Sequence, residues 1–167
     1  MKILRTSLLA MVFMFAMTSC TKDESDVIDE ARYSIDLNLA HETNWELADE
    51  ILYLINEHRD SLGLSAIRRD QQYASAYAVN HTKYMIEKNQ INHDNFSVRS
   101  AALKDNGAYT VAENVAYGYT SAEDVVRAWL NSPAHKGIIE GSYTHSGFGV
   151  IPNNEGSYFF TQLFYSK

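Results

Sequence analysis

His93, Glu113 and His135 are the residues of this chain whose types and settings could do chemistry. His93 stands in Ile91-Asn92-His93-Asp94-Asn95-Phe96, a polar stretch anchored by Phe96 and read as a loop between helices. His135 follows Ser132-Pro133, where proline pushes its predecessor out of helical geometry, so it is placed in the turn after a helix. Glu113 and Asn114 come just before a strand. Loops on a rigid scaffold are where side chains are pointed into a cleft. Two imidazoles and one carboxylate form the ligand set of an open zinc site, with the fourth position left to water. The spacing does not impose that reading, because no His-x-x-x-His pair puts two ligands on one helix face. The same groups also suit a polar cleft that holds only water and hydrogen bonds.

The other histidines have simpler readings. His41 falls in a polar segment and needs no special account. His58 lies near a helix C-terminus, where the helix dipole favours a partly charged imidazole. His81 shares a helical face with Ala74, Ala78 and Met85 and reads as a core histidine. His145 opens a strand and is either a cap or cleft lining. Ser132, close to His135, could be a nucleophile, but no nucleophile elbow surrounds it and a turn explains it more simply.

The elements that position these groups follow from periodicity. Leu47, Ile51, Leu54, Ile55 and His58 trace one face of a helix capped by Thr43 or Asn44 and ended at Gly63. A second helix spans about residues 70–88, its alanines suited to close packing. A third, shorter one covers residues 98–104, and residues 115–119 read as a strand. Ser121 caps a helix whose stripe is Ala122, Val125, Val126 and Trp129. Residues 145–151 and 158–165 are strands of a hairpin turned by Pro152-Asn-Asn-Glu-Gly156. Residues 33–39 alternate like a short strand. The order predicts an α+β or α/β/α layered domain with a mainly antiparallel sheet.

The first residues read as an export signal. Met1-Lys2-Ile3-Leu4-Arg5 is basic and short, residues 8–17 are almost wholly apolar, and Met17-Thr18-Ser19-Cys20 closes the stretch. The run is too short for a membrane span. Its end resembles a bacterial lipobox, which would make Cys20 the lipidated first residue of the mature chain. Cys20 is the only cysteine, so no internal disulfide can form. The division is therefore residues 1–19 as signal, 20–44 as an acidic tether that is partly ordered near the domain, and 45–167 as domain. Loss of Lys2 and Arg5 takes the net charge from −7 to −9, which argues against nucleic acid as a partner. It also leaves acyl chains rather than charge as the membrane anchor. Lys22-Asp23-Glu24 after the cysteine resembles the surface-export signal of some Gram-negative lipoproteins, or is a solvated spacer.

One family resemblance gathers these pieces. Asn56, Arg59, Gly63-Leu64, His81 and His93 come first, followed by Glu113-Asn114-Val115-Ala116. Trp129-x-x-Ser132-Pro133-x-His135, Gly147-Phe148-Gly149-Val150 and Phe160-Thr161-Gln162-Leu163-Phe164 complete the series. In that order, over residues 45–167, they resemble a CAP domain of the cysteine-rich secretory protein type, bacterial branch. The resemblance implies an α/β/α sandwich with a cleft lined by His93, Glu113 and His135, with Asn114, Ser132 and His145 beside them. In some relatives the histidines hold a divalent metal such as zinc; others bind sterols, fatty acids or glycans. No general enzymatic activity is implied. The chain departs from the pattern at Ser132, where animal members carry a second Glu, at Ala112, and at Lys136-Gly137. The disulfides of the animal relatives are missing, so contacts by Trp129, Phe148, Phe160 and Phe164 are expected to hold the fold.

Three functions are consistent with this. The first is a lipid-anchored envelope module binding a lipid, glycan or protein, with or without a metal. It would be exported and held at the outer membrane, either facing the periplasm or exposed at the surface. The second is a metal-dependent hydrolase using Glu113 as base or ligand. The third is an interaction protein with a vestigial cleft. Tyr117, Tyr119, Tyr143 and Tyr158 form either a ligand rim or a half-buried sheet surface.

Overall fold

Why the chain layers helices on both sides of a sheet is visible in where each stripe goes. The computed structural model describes residues 34–167; the leader, Cys20 and the start of the acidic segment lie outside the described residues. Helix α1 (Trp45–Ser61) starts where the Asn44 side chain accepts from the Leu47 N–H, and the chain turns away after its cap at Gly63, whose φ of +71° suits a residue without Cβ. Its buried face is Leu47, Ala48, Ile51, Leu52 and Ile55. Helix α2 (Tyr73–Lys88) is capped by Asp70, whose carboxylate accepts from the N–H groups of Gln72, Tyr73 and Ala74. Helices α3 (Phe96–Asp105), α4 (Ala122–Asn131) and α5 (Pro133–Ile139) follow.

The sheet order is β1 (Arg68–Arg69), β3 (His145–Pro152), β4 (Tyr158–Ser166), β2 (Thr110–Tyr117). Only the β1–β3 pair is parallel. On one face Ile51, Ile55, Val125 and Trp129 meet Phe148, Val150, Phe160 and Phe164. On the other, Ala74, Tyr77, Ala78 and Leu103 meet Leu163 and Tyr165. The α+β class and the α/β/α layering are therefore as the sequence predicts, and the four expected aromatic anchors share one core cluster. Each fully buried Phe contributes about 1.5–3 kcal/mol by leaving water. The alanines of α2 pack against bare backbone: a Cβ on Gly147 would stand 2.4 Å from the Ala74 carbonyl carbon, and one on Gly149 2.4 Å from the Ala78 oxygen.

Several expectations need correcting. Of the stretch 33–39, residues 34–39 are not a strand, and residue 33 lies outside the described residues. Asp36 accepts from the Asn38 N–H and starts a 3-10 helix (Leu37–Glu42) that packs on α2 with Ala40 buried. The end of the segment read as tether is thus folded onto the domain. Helix α3 begins two residues early, at Phe96, because Asn95 adopts a left-handed conformation that asparagine tolerates. Strand β2 begins at Thr110 and ends at Tyr117, before the left-handed Gly118. The turn expected after Pro133 is a new helix, since proline suits the first helical position.

Candidate functional site

Strand β2 is an edge of the sheet, and alternation sends its side chains to opposite layers. Val111 and Val115 join the clusters on the α2/α3 side, while Ala112 and Ala116 join the α1/α4 cluster. Glu113 therefore faces the first layer and Asn114 the second. The edge is where both layers can be reached, with α3 against β2 on one side and α5 on the other.

Glu113 is the hub of the first layer. Its side chain is 1% exposed. Oε2 accepts from Arg99 Nε at 2.8 Å, and Oε1 accepts from Arg99 Nη2 and from His93 Nδ1, both at 2.8 Å. Arg99 is itself buried and also donates to the Asp94 carbonyl at 2.7 Å, fastening the loop that carries His93. An ionised carboxylate only accepts, so His93 Nδ1 is the protonated nitrogen. In neutral His93 the lone pair is then on Nε2. His93 has a side chain 53% exposed. His81, fully buried, donates from Nε2 to the Asn92 carbonyl at 2.8 Å and lies 3.9 Å from Glu113 Oε1. Burial first, then the Arg99 charge, holds its pKa below the ordinary histidine value, against the opposing pull of Glu113.

The second layer is built without formal charge. Asn114 is fully buried and its Nδ2 makes a long contact, 3.4 Å, to the carbonyl of His135 in α5. Trp129 Nε1 donates to the Val115 carbonyl at 3.2 Å, tying α4 to the same strand. His135 is part-buried, and its pKa is lowered by burial first and by His93 second. The two imidazoles thus lie within electrostatic reach of each other.

A model of the cysteine-rich secretory protein family matches residues 52–164. The chain belongs to that family. A membrane protein of Bacillus subtilis, YlbC, is 35% identical over 108 residues, 60% of this chain and 30% of that protein. Among solved structures, an outer surface protein of Borrelia burgdorferi superimposes with a TM-score of 0.64 at 25% identity, covering 73% of this chain and 93% of that one. An extracellular SCP-domain protein of Bacillus anthracis gives 0.59 at 27% identity, covering 71% and 40%. The chain spans well under two thirds of the length of either of these Bacillus proteins.

Within this CAP domain the sequence-selected residues divide. His93 and Glu113 are in direct contact, and His135 and Asn114 meet on the other side of β2. Ser132 caps the junction of α4 and α5 through its backbone, and its side chain makes no capping bond. His145 does not join them. It stacks on Tyr165, bonds Thr144, and has Arg68, Asp70 and Lys167 as charged neighbours. Of the tyrosines, Tyr119, Tyr143 and Tyr158 pack against the α1/α4 core, the half-buried alternative, and Tyr117 tilts onto Phe159. A groove of about 380 Å³ between α1 and α4, lined by Leu54, Val126 and Leu130, contains none of the histidines.

Arg99 escapes the reading of the sequence, although a signal exists. It occupies the inward stripe of α3 with Ala102 and Leu103, where an arginine demands a buried partner. That partner changes the metal chemistry open to the site. Both oxygens of Glu113 are engaged, and a cation bound there would sit beside a guanidinium. The exposed donor of this layer is His93, with Glu113 as the group that orients it.

Proposed function

We propose that this CAP domain is a binding module of the cell envelope, anchored through lipidated Cys20, in which His93 and His135 present a two-imidazole site. The observation that carries the reading is the Arg99–Glu113–His93 relay. A buried ion pair sets the tautomer of an exposed histidine and leaves its Nε2 lone pair for a ligand. Zinc or another divalent ion bound there would take His93 and His135 as ligands and would supply a Lewis-acidic anchor for an anionic or carbonyl group. Without a metal, the same nitrogens accept hydrogen bonds from a glycan, lipid headgroup or protein ligand. A hydrolase would need a base with a lone pair toward substrate, and Glu113 is turned to Arg99 and His93, which favours binding over catalysis.

Calorimetric titration of the purified protein with zinc tests this, against His93→Ala/His135→Ala. Stoichiometric binding that falls at least tenfold in the double variant supports a metal-holding pair. Equal binding in both would remove the histidines from the site. For the anchor, Cys20→Ser should move the protein from the membrane fraction to the soluble one.

A further inference from the structure

Arg59 is a buried cation, 2% exposed, that pairs with no carboxylate among the described residues. Its partners are carbonyls. Nε donates to Ser65 at 2.9 Å, and Nη1 donates to Ile139 at 2.6 Å and Gly141 at 2.8 Å. Ile139 is the last residue of α5 and Gly141 lies two beyond it. The guanidinium therefore sits on the carbonyl end of that helix, the end whose dipole favours a cation.

Helix α5 has seven residues, too few to hold its own geometry in water. It buries one side chain, Ile139. Pro133 fixes its first turn, and Asn114 offers only the 3.4 Å contact to His135. The direct bonds at its far end come from the end of α1, as the Arg59 fork and as His58 Nε2 to Glu140 Oε1 at 2.8 Å. The latter pair is part-exposed and gives little rigidity. His135 lies four residues before Ile139, about 6 Å along the axis. Arg59 does not act on the imidazole by contact.

We propose that Arg59 is the positioning residue of His135: by gripping the last carbonyls of α5 it sets where that imidazole stands relative to His93. The proposal rests on the reading of His93 and His135 as the binding pair. His93 is fixed independently, by Glu113 and Arg99, and so serves as an internal control.

Long-range ¹H–¹⁵N spectra of the imidazoles, recorded on the whole protein with no metal added, read this directly. Arg59→Lys keeps the charge but replaces a planar fork with a single ammonium. In that variant the His135 resonances shift and amide exchange in α5 speeds at least tenfold, while His93 and His81 stay where they are. Arg59→Met does the same more strongly, and if it fails to fold Arg59→Lys decides alone. A fall in melting temperature with His135 unmoved would overturn the proposal and make the clasp structural. His93 and His135 shifting together would also overturn it. A wild-type protein that binds no zinc, with the selective His135 shift intact, would remove the metal reading and uphold the role of Arg59.

Discussion

Two His–Glu pairs in this protein have the same length and opposite character. His93 Nδ1 meets Glu113 Oε1 at 2.8 Å, and His58 Nε2 meets Glu140 Oε1 at 2.8 Å. The Glu113 side chain is 1% exposed and that of Glu140 is 29% exposed. Distance does not rank them; desolvation does. A carboxylate taken out of water needs a permanent partner, and a histidine that titrates near neutrality cannot be one. Arg99 fills that need at Glu113, whereas Glu140 keeps contact with solvent and has Lys136 at 3.7 Å as well as His58. The buried pair can therefore fix a tautomer, and the surface pair only links α1 to α5.

The largest effect should come from removing that permanent partner. Arg99→Met leaves the Glu113 charge buried and unpaired, at a cost of about 3–5 kcal/mol. Domains of this kind are stable by about 5–15 kcal/mol, so the urea midpoint should fall by about a fifth or more. Adding Glu113→Gln to Arg99→Met should restore a good part of the loss, since the charge is gone. A loss below about 1 kcal/mol in the single variant would mean that Glu113 is solvated, and the contrast between the pairs would collapse.

Acid separates the pairs next. His81, in the buried cluster, is held below its ordinary value by burial and then by Arg99. The unfolded chain therefore takes up this proton first, at a pH near about 6.5, while the folded chain still excludes it. Stability from this group is complete above that point and is lost as pH falls toward the lowered value. Glu140 has the opposite starting state. The His58 hydrogen bond is the first cause holding its carboxyl below the usual range, so its contribution is present above that range and lost only as pH falls through the carboxylate region. Unfolding free energies between pH 7 and 5 should thus slope through the buried cluster and not through Glu140. His81→Gln, which retains a donor for the Asn92 carbonyl, should reduce the slope by a fraction of one proton. His135 and His145, also lowered, leave a remainder. An unchanged slope would show that His81 does not titrate as a buried group.

Much of this contrast is hidden in the sequence for physical reasons. The stripe of Val125, Val126 and Trp129, the Ser121 cap and the Asn153 turn are local signals, and they read correctly. His93 and Glu113 are legible as residues with chemistry, but their relation to Arg99 depends on strand alternation at the β2 edge and on a helix crossing it. Neither lies in any short window. Pro133 reads as a stop because one residue can both end a helix and begin another, and only packing of Ile139 decides. His145 carries an open choice that register settles, since it pairs with Tyr165 at the far end of β4 from Phe159. The two-residue β1 has no periodicity to detect.

The smallest predicted effect is at the surface pair. Glu140→Gln removes the charge facing His58 and Lys136, yet the amide oxygen can still accept from the imidazole. Its melting temperature should stay close to wild type, far above that of Arg99→Met and above that of Arg59→Lys. The small difference that remains should shrink when sodium chloride is raised toward 1 M, because an exposed pair is screened over a few ångströms at that ionic strength. The Arg99→Met deficit should barely respond to the same salt, its charge being out of reach of ions. A Glu140→Gln loss as large and as salt-insensitive as that of Arg99→Met would mean that the α1–α5 junction is dry. His58 would then join Arg59 in holding α5, and the division between a charged support under His93 and a carbonyl clasp behind His135 would no longer stand.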